Sequence, residues 1–353
     1  MVKSKGGFLF LGQYGCNQMV FFYKTKYPSL AMNTATSDLD SATEIEDDCK
    51  YHIQGSEGCN KDRKKSKELL KKDMDNIINA VKEKFANAEY IVVFGSAGGG
   101  SASGQLASIK RILMNELDIK FCCVVTVLPD IRIESTQALL NSYETLAELE
   151  QLSELPGATF ILDNSRVNDK MKINETFFKY FDALLTSNGV SKLGNVDEAE
   201  IEQMLMTPGM SIISSIHKDN VNTQTLLKTF KNNIFAPLEE DKIIKYIALI
   251  NGDDGKKIDI SEIYEQIGKP LDLYLGYEAG DYTLCVLSGL SLPYTRMEEI
   301  KGIIEANKDT INHNISAQRN NRLSTGLNFF ESIEQPVIKE EKKKKVSSRD
   351  LLL

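Results

Sequence analysis

Residues 93–113 read VFGSAGGGSASGQLASIKRIL, and this stretch indicates the fold class. An apolar run leads into three consecutive glycines, Gly98 to Gly100, and an amphipathic pattern begins after Ser101. This order predicts a buried strand, a glycine-rich loop and a helix. Neither common phosphate-binding motif fits, because the loop has neither the lysine of a P-loop nor the glycine spacing of a dinucleotide fingerprint.

Backbone N–H groups that no side chain covers, at the start of a helix, can bind an anion. Consecutive glycines let backbone N–H groups converge, and the helix that follows adds its amino-terminal partial positive charge. Ser101 and Ser103 add hydroxyl donors. The alternative is a tight strand-to-helix turn packed against a neighbour, which usually needs one or two glycines. The sequence therefore favours a site for the phosphates of a nucleotide.

Further apolar runs alternate with helical patterns through the first half of the chain. Each run is followed by residues rich in Gly, Ser, Asn and Asp, where a strand would end. This alternation predicts a parallel, doubly wound sheet that binds its ligand at the carboxyl ends of its strands. The predicted strands lie in GGFLFLG (6–12), YPSLAMNT (27–34), CKYHI (49–53), EYIVVFG (89–95), IKFCCVVTVLP (119–129) and GATFILDN (157–164).

Composition limits the class of protein. With 353 residues, 42% of them apolar, and a net charge of -8, the chain is typical of a globular protein of two domains. The negative net charge argues against a protein that binds nucleic acid over its whole surface. The six cysteines show no CxxC spacing, so we expect reduced thiols and neither disulfides nor zinc. No apolar stretch has the length of a membrane span or a signal peptide, and we expect a soluble intracellular protein.

Several motifs, taken in chain order, resemble the tubulin/FtsZ family. GGGSASG (98–104) resembles the tubulin signature, with Ala102 in place of its inner glycine. GQYGCNQM (12–19) is similar to the first tubulin loop. The remaining matches resemble, in order, the second loop of FtsZ, a strand end, its central helix and the approach to its catalytic loop: NTATSDLD (33–40), TFILDNSRV (159–167), FKYFDALL (178–185) and LMTPGM (205–210).

The resemblance implies a tubulin/FtsZ-like α/β fold. Its parts are a doubly wound parallel sheet that binds the nucleotide, a central helix, a smaller α+β second domain and a flexible C-terminal tail. On this chain we expect a GTP-binding domain at 1–170, the central helix and catalytic loop at 171–240, an α+β activation domain at 241–313, a C-terminal helix at 314–335 and a disordered basic tail at 336–353.

The function implied is that of a GTPase that forms filaments. Within the family, the tubulin-like first loop and the lysine-rich tail resemble the proteins that segregate plasmid and phage DNA. The resemblance implies GTP/GDP and Mg²⁺ as ligands, head-to-tail self-association in a bacterial host cytoplasm, and no membrane. It also implies that the tail contacts a small DNA-binding adaptor seated on centromere-like DNA. The alternatives are a cell-division GTPase like FtsZ itself and a nucleotide-dependent scaffold without catalysis.

The resemblance also implies which residues contact the nucleotide. Glu134 would contact the ribose, although an acid at a helix amino terminus is the alternative. Asn164 and Asp182 would read guanine, unless Asp182 is a solvated helix acid. Gln13 and Glu57 would bind magnesium, and the loop that holds Glu57 is otherwise a flexible turn. The remaining predicted contacts are Gly12, Tyr14, Asn17, Asn33, Gly55, Gly98, Gly99, Gly100, Ser101, Ala102, Ser103, Gly104 and Pro129.

The catalytic residues are predicted in a loop that one subunit inserts into the nucleotide site of the next. In the family this loop carries Asn-x-Asp, and its acid polarises the attacking water. Asp219 is the predicted acid because it precedes an apolar helical stripe, and Asn222 is the predicted second residue. The alternative is that Asp219 caps that helix. His217 is expected to have a surface role.

Overall fold

A computed structural model describes residues 2–187, 191–278 and 280–320. Within these residues, no helix is both long and apolar enough to cross a membrane. The strands are β1 (Gly6–Leu11), β2 (Ser29–Asn33), β3 (Lys50–His52), β4 (Tyr90–Ser96), β5 (Phe121–Leu128), β6 (Thr159–Asp163), β7 (Met210–His217), β8 (Tyr246–Asn251), β9 (Asp272–Tyr277) and β10 (Tyr282–Leu290). The helices are α1 (Gly12–Lys24), α2 (Thr36–Ser41), α3 (Arg63–Lys72), α4 (Met74–Lys84), α5 (Ser101–Glu116), α6 (Thr136–Glu150), α7 (Lys170–Thr186), α8 (Glu198–Met206), α9 (Thr223–Lys231), α10 (Ile260–Ile267) and α11 (Tyr294–Asn320).

The strands form one sheet in the order β3-β2-β1-β4-β5-β6-β7-β10-β8-β9. The first six strands are parallel to their neighbours, and β7 continues parallel to β6. Strands β1, β2, β4, β5 and β6 are buried almost throughout, which explains why they read as continuous apolar runs. The prediction of a doubly wound parallel sheet is confirmed.

The second half of the chain extends the same sheet. β10 pairs antiparallel with both β7 and β8, and β8 pairs parallel with β9. Residues up to Asn307 form one compact unit. α11 is continuous across the boundary predicted at residues 313 and 314, while the predicted basic tail at 336–353 lies outside the described residues.

Helix α7 runs along the parallel half of the sheet, from the edge formed by the carboxyl ends of the strands to the edge formed by their amino ends. Lys170, its first residue, pairs with Glu134, which follows the carboxyl end of β5. Near its other end, Asp182 accepts a hydrogen bond from Tyr27, which precedes β2. The helix has 17 residues and is therefore about 25 Å long. Its buried phenylalanines, Phe177 and Phe181, stack against each other in the core.

Candidate functional site

Two loops meet where the strand order of the sheet reverses. From β1 the chain moves outward through β2 and β3, whereas from β4 it moves the opposite way through β5 and β6. α1 begins at Gly12 directly after β1, and α5 begins at Ser101 after the loop that follows β4. A Cβ on Gly12, which has a φ of +67°, would lie 3.6 Å from the Cβ of Ala102. Two helix amino termini thus converge on one crevice, which is the usual ligand position in such sheets.

The three glycines of the loop have different surroundings. A Cβ on Gly98 would lie 3.1 Å from the carbonyl oxygen of Ala138, and one on Gly100 only 2.7 Å from the backbone nitrogen of Lys61. A Cβ on Gly99 would meet nothing closer than 3.8 Å. Gly98 and Gly100 therefore make room for protein neighbours. Gly99 leaves backbone that a ligand could approach. The interpretation as a tightly packed turn therefore applies to Gly98 and Gly100, and the interpretation as a phosphate site applies to Gly99.

The loops after β2 and β3 close against the start of α5. The hydroxyl oxygens of Thr34 and Ser101 are 2.6 Å apart, and Ser101 Oγ donates to Asn33 Oδ1 over 3.4 Å. Glu57 Oε2 accepts from the backbone N–H of Thr36 at 3.0 Å and from its hydroxyl at 2.5 Å. These two bonds lower the pKa of the exposed Glu57 carboxyl. The structure thus brings Asn33, Glu57 and Ser101 to the same edge as the glycine loops.

Residues 13–17 supply polar groups on the other side of the crevice. Gln13 is exposed and donates from Nε2 to Asn17 Oδ1 over 3.2 Å. Tyr14 has a buried hydroxyl without a hydrogen-bond partner among the described residues, and burial raises its pKa. The described residues contain no group of three or more His, Cys, Asp or Glu that could hold a metal. A magnesium ion that keeps its waters needs only one or two carboxylates besides phosphate oxygens, and Glu57 fits that requirement.

The loops after β5 and β6 form the side of the crevice nearest α7. Glu134 Oε1 is 2.6 Å from Lys170 Nζ, so Glu134 ties the β5 loop to the start of α7. Ser165 Oγ accepts from the backbone N–H of Ile131 at 3.1 Å and joins the two loops. Asn164 begins a short 3-10 turn and is half-buried. Glu134 and Asn164 thus lie at the sheet edge where they were predicted.

Asp182 does not lie at this edge. Its Oδ1 accepts from the hydroxyl of Tyr27 at 2.6 Å and pairs with Lys3 Nζ at 3.3 Å. Lys3 precedes β1 and Tyr27 precedes β2, so Asp182 lies at the amino-terminal edge of the parallel sheet. The prediction that Asp182 reads guanine is therefore wrong, because the glycine loops lie at the opposite edge.

The first turns of α7 contain a buried polar residue, Asn174, that the sequence motifs do not identify. Asn174 is only 4% exposed, on the same helix face as Ile173 and Phe177. The backbone carbonyl oxygen of Asn174 accepts from Gln18 Nε2 of α1 over 3.1 Å, and Gln18 Oε1, the other amide atom of the Gln18 side chain, has no partner among the described residues. An amide within the buried stripe of a helix was the available signal, since buried polar groups usually have a specific partner.

Asp219 and Asn222 are also placed differently from their prediction. Asp219 has a side chain that is 76% exposed, and it lies just after β7 with its carboxylate 3.3 Å from His217 Nδ1. Because β7 is parallel to β6, its carboxyl end faces the same edge as the glycine loops. Asp219 therefore lies at the same edge as the glycine loops of its own chain, which argues against the prediction that its loop is inserted into the nucleotide site of the next subunit. Asn222 instead caps α9 by accepting from Thr225 N.

An Asn-x-Asp sequence occurs elsewhere, as Asn195-Val196-Asp197 before α8. Asp197 Oδ1 accepts from the N–H of Glu200, and Glu200 Oε2 accepts from the N–H of Asp197, each at 2.9 Å. This capping box holds two carboxylates at the start of α8. The next residue, Glu198, pairs with Lys5 at 2.9 Å, directly before β1, so the segment lies at the edge opposite the glycine loops. The motif is visible in the sequence, but the resemblance of LMTPGM (205–210) to the approach to the catalytic loop predicts that loop after residue 210.

Comparisons with known proteins agree with this geometry. The family model described as "Tubulin/FtsZ family, GTPase domain" matches residues 4–172. The tubulin-like protein TubZ of Clostridium botulinum C phage is 25% identical over 310 residues, which are 86% of this chain and 84% of that protein. TubZ of Bacillus cereus is 26% identical over 245 residues, which are 61% of this chain and 55% of that protein.

Solved structures show the same fold. TubZ of Clostridium botulinum phage c-st, without its C-terminal tail, superposes with a TM-score of 0.78 at 24% identity, over 88% of this chain and all of that one (100%). TubZ of Bacillus thuringiensis serovar israelensis, in a GTPγS-form protofilament, gives a TM-score of 0.77 at 16% identity, over 88% and 94% of the two chains. Residues 4–172 therefore match the GTPase domain of the tubulin/FtsZ family, and the chain as a whole resembles TubZ.

Proposed function

We propose that this protein is a filament-forming GTPase that segregates plasmid or phage DNA in the cytoplasm of a bacterial host. One observation supports it above the others: helix α7 runs between two different sheet edges. The edge with the glycine loops suits a nucleotide, and the opposite edge has the Asn195–Asp197 segment. Subunits stacked head to tail would join these edges, and such a heterologous interface propagates into a filament.

The nucleotide in this proposal is GTP. Its phosphates would contact the open backbone at Gly99 and the amino termini of α1 and α5. Asn174 replaces Asp182 as the candidate that reads the base, together with Asn164. An amide oxygen can accept from the N1–H and N2–H₂ groups of guanine, which adenine does not have, and an amide N–H can donate to O6. A bound Mg²⁺ would neutralise phosphate charge, with Glu57 and Gln13 as its candidate protein ligands.

Hydrolysis in this proposal needs two subunits. The carboxylates of Asp197 and Glu200 would reach the nucleotide of the next subunit and orient the attacking water. A general base of this kind typically contributes about 10² to 10⁴ in rate. Neither carboxylate can reach the glycine loops of its own chain, because the two edges are separated by the length of α7.

Sedimentation and phosphate release test the proposal together. Filaments should pellet with GTP or GTPγS and much less with GDP or without nucleotide. Phosphate release per subunit should rise steeply with protein concentration, because the site is complete only in the filament. A monomeric enzyme would hydrolyse GTP at a rate per subunit independent of concentration, and a scaffold would pellet without phosphate release. Either result would overturn the proposal.

The proposal also includes a DNA-bound partner, which the basic C-terminal segment would contact. Lys342 to Lys345 and Arg349 give a basic segment in a chain that is otherwise acidic. We propose that this segment contacts a DNA-binding adaptor of the TubR type, seated on centromere-like DNA. Lysines would be attracted to the DNA phosphates beside the adaptor, so the interaction should weaken as salt rises. The segment lies outside the described residues, and the argument rests on its charge alone.

A further inference from the structure

The segment that leads into α3 lies directly against the glycine loop. The backbone nitrogen of Lys61 would be 2.7 Å from a Cβ on Gly100. Asn141 Nδ2 donates to the carbonyl oxygens of both Lys61 and Gly99, each at 2.9 Å. One side chain of α6 thus holds Lys61 and the open glycine together. Asn60 and Lys61 both have left-handed φ angles, +47° and +59°, which set the course of the chain at this contact.

The ammonium group of Lys61 is available to an anion. Its Nζ donates to Ser135 Oγ over 3.0 Å at an exposed position, and no carboxylate of the described residues lies within ion-pair distance of it. Turning this group toward a phosphate would therefore break no ion pair. Arg63, by contrast, is paired with Glu144 and Glu148. Lys64 and Lys65 also have no carboxylate partner among the described residues, but it is the backbone of Lys61 that adjoins Gly100.

The faces of the sheet indicate which phosphate Lys61 would meet. α1 packs against α7, so Asn174, the proposed base contact, lies on that face. α5 packs against α3 and α6 on the other face, where Lys61 lies. A nucleotide with its base at α7 has to cross the sheet edge between β1 and β4 with its phosphates. The phosphate farthest from the base is then the one nearest to Lys61.

We propose that Lys61 binds the terminal phosphate of GTP and so distinguishes GTP from GDP. This inference rests on the proposed function. The glycine loop itself supplies only backbone N–H groups and hydroxyls to a triphosphate, and it has no lysine of its own. An ammonium–phosphate contact supplies the missing positive charge, and charge-assisted hydrogen bonds of this kind are about twice as strong as neutral ones.

Nucleotide affinity measured below the concentration for assembly tests the inference. Lys61→Asn removes the charge and suits a left-handed φ. We expect it to weaken GTPγS binding by about tenfold or more, which is about 1.4 kcal/mol or more, with GDP affinity within about twofold of wild type. Lys61→Arg should retain most of the preference for GTPγS. Lys72→Gln, at the exposed end of the same helix, is the charge-matched control and should bind both nucleotides normally.

The outcomes separate this inference from the function on which it rests. If Lys61→Asn lowers the affinities for GTPγS and GDP equally, or changes neither, while the wild type binds both, the inference is overturned and the GTPase proposal stands. If the wild type binds no guanine nucleotide, both are overturned. An unchanged thermal melting curve for Lys61→Asn is required, so that a lost affinity reports on the contact and not on folding.

Discussion

Two adjacent glycines, Gly99 and Gly100, differ in what a methyl group would touch. On Gly100 it would press on the backbone of Lys61 at 2.7 Å, whereas on Gly99 it would meet no protein atom within 3.8 Å. Backbone cannot move aside as a flexible side chain can. Substitution of Gly100 therefore tests the stability of the loop, and substitution of Gly99 tests its interaction with a ligand.

We expect Gly100→Ala to lower the free energy of unfolding by about 1–3 kcal/mol, the usual cost of overpacking. Gly99→Ala should unfold like the wild type but bind GTP more weakly, because its methyl group would occupy the space of a phosphate. Urea denaturation and nucleotide titration of the two variants measure these effects. Normal GTP binding by Gly99→Ala would show that the open backbone of Gly99 is not a phosphate contact.

The sequence was least informative about single polar residues in helices. In α7, Asn174 and Asp182 belong to the same amphipathic pattern, eight residues apart. An amphipathic helix repeats its chemistry every three or four residues, so a short motif match cannot determine which polar residue lies at the nucleotide end. The contact of Lys170 with Glu134 at the start of α7 and that of Asp182 with Tyr27 near its end show which end each residue occupies.

At the scale of elements, α11 is fixed to the site by a buried ion pair. Arg296 Nη2 lies 2.9 Å from Asp163 Oδ2 at the carboxyl end of β6, with side chains 11% and 0% exposed. The oxygen has no partner in hydrogen-bond geometry, so the attraction is mainly electrostatic. Asn164, a predicted base contact, is the next residue after Asp163. The position of α11 and the geometry of the site are therefore coupled.

We expect Arg296→Met to cost about 3 kcal/mol of stability, because it leaves the buried carboxylate of Asp163 without its partner. The double variant with Asp163→Asn should recover part of that loss, since no unpaired charge remains. A double-mutant cycle by urea denaturation measures the coupling. Additive losses would mean that the two side chains stabilise the protein independently.

The strands themselves were predictable. Parallel strands covered on both faces read as short apolar runs, so all six predicted strands of the first half were found. Their alternation with helices predicted a doubly wound parallel sheet, but the order of the strands in it was not predicted. The extension of the sheet through β7 and β10 was not predicted, because pairing between distant strands leaves no periodic signal in either one.

At the scale of the whole molecule, the position of the catalytic acid can be tested with conservative variants. Asp197→Asn keeps a good helix cap, and Glu200→Gln keeps the capping box, so both should fold and assemble. We expect one or both to lower GTP hydrolysis in filaments by about 10²-fold or more, while Asp219→Asn, the matched control, hydrolyses GTP normally. Phosphate release from pelleted filaments is the measurement. Loss of hydrolysis in Asp219→Asn alone would restore the original assignment.

The basic segment is tested by truncation after Gln335. The shortened protein should hydrolyse GTP nearly as fast as the full chain but fail to co-sediment with the adaptor–DNA complex. Neutralising only Lys342 to Lys345 should give most of that loss, because backbone contacts to DNA depend on charge. If the truncated protein co-sediments with the adaptor–DNA complex as fully as the whole chain does, the segment serves only solubility.

Helix α7 separates the glycine loops at one sheet edge from the Asn195–Asp197 segment at the other, so the two ends of the proposed filament would be unlike. The terminal subunit at one end would expose a GTP site that no neighbour completes, so its nucleotide would stay intact until another subunit binds. At the other end, the carboxylates of Asp197 and Glu200 would face solvent and have no nucleotide beside them. A growing filament would thus always carry one unhydrolysed nucleotide at a single, fixed end. The fraction of subunits with hydrolysed nucleotide would increase with distance from that end. The distribution of GTP and GDP along such a polymer would indicate its polarity without any additional factor.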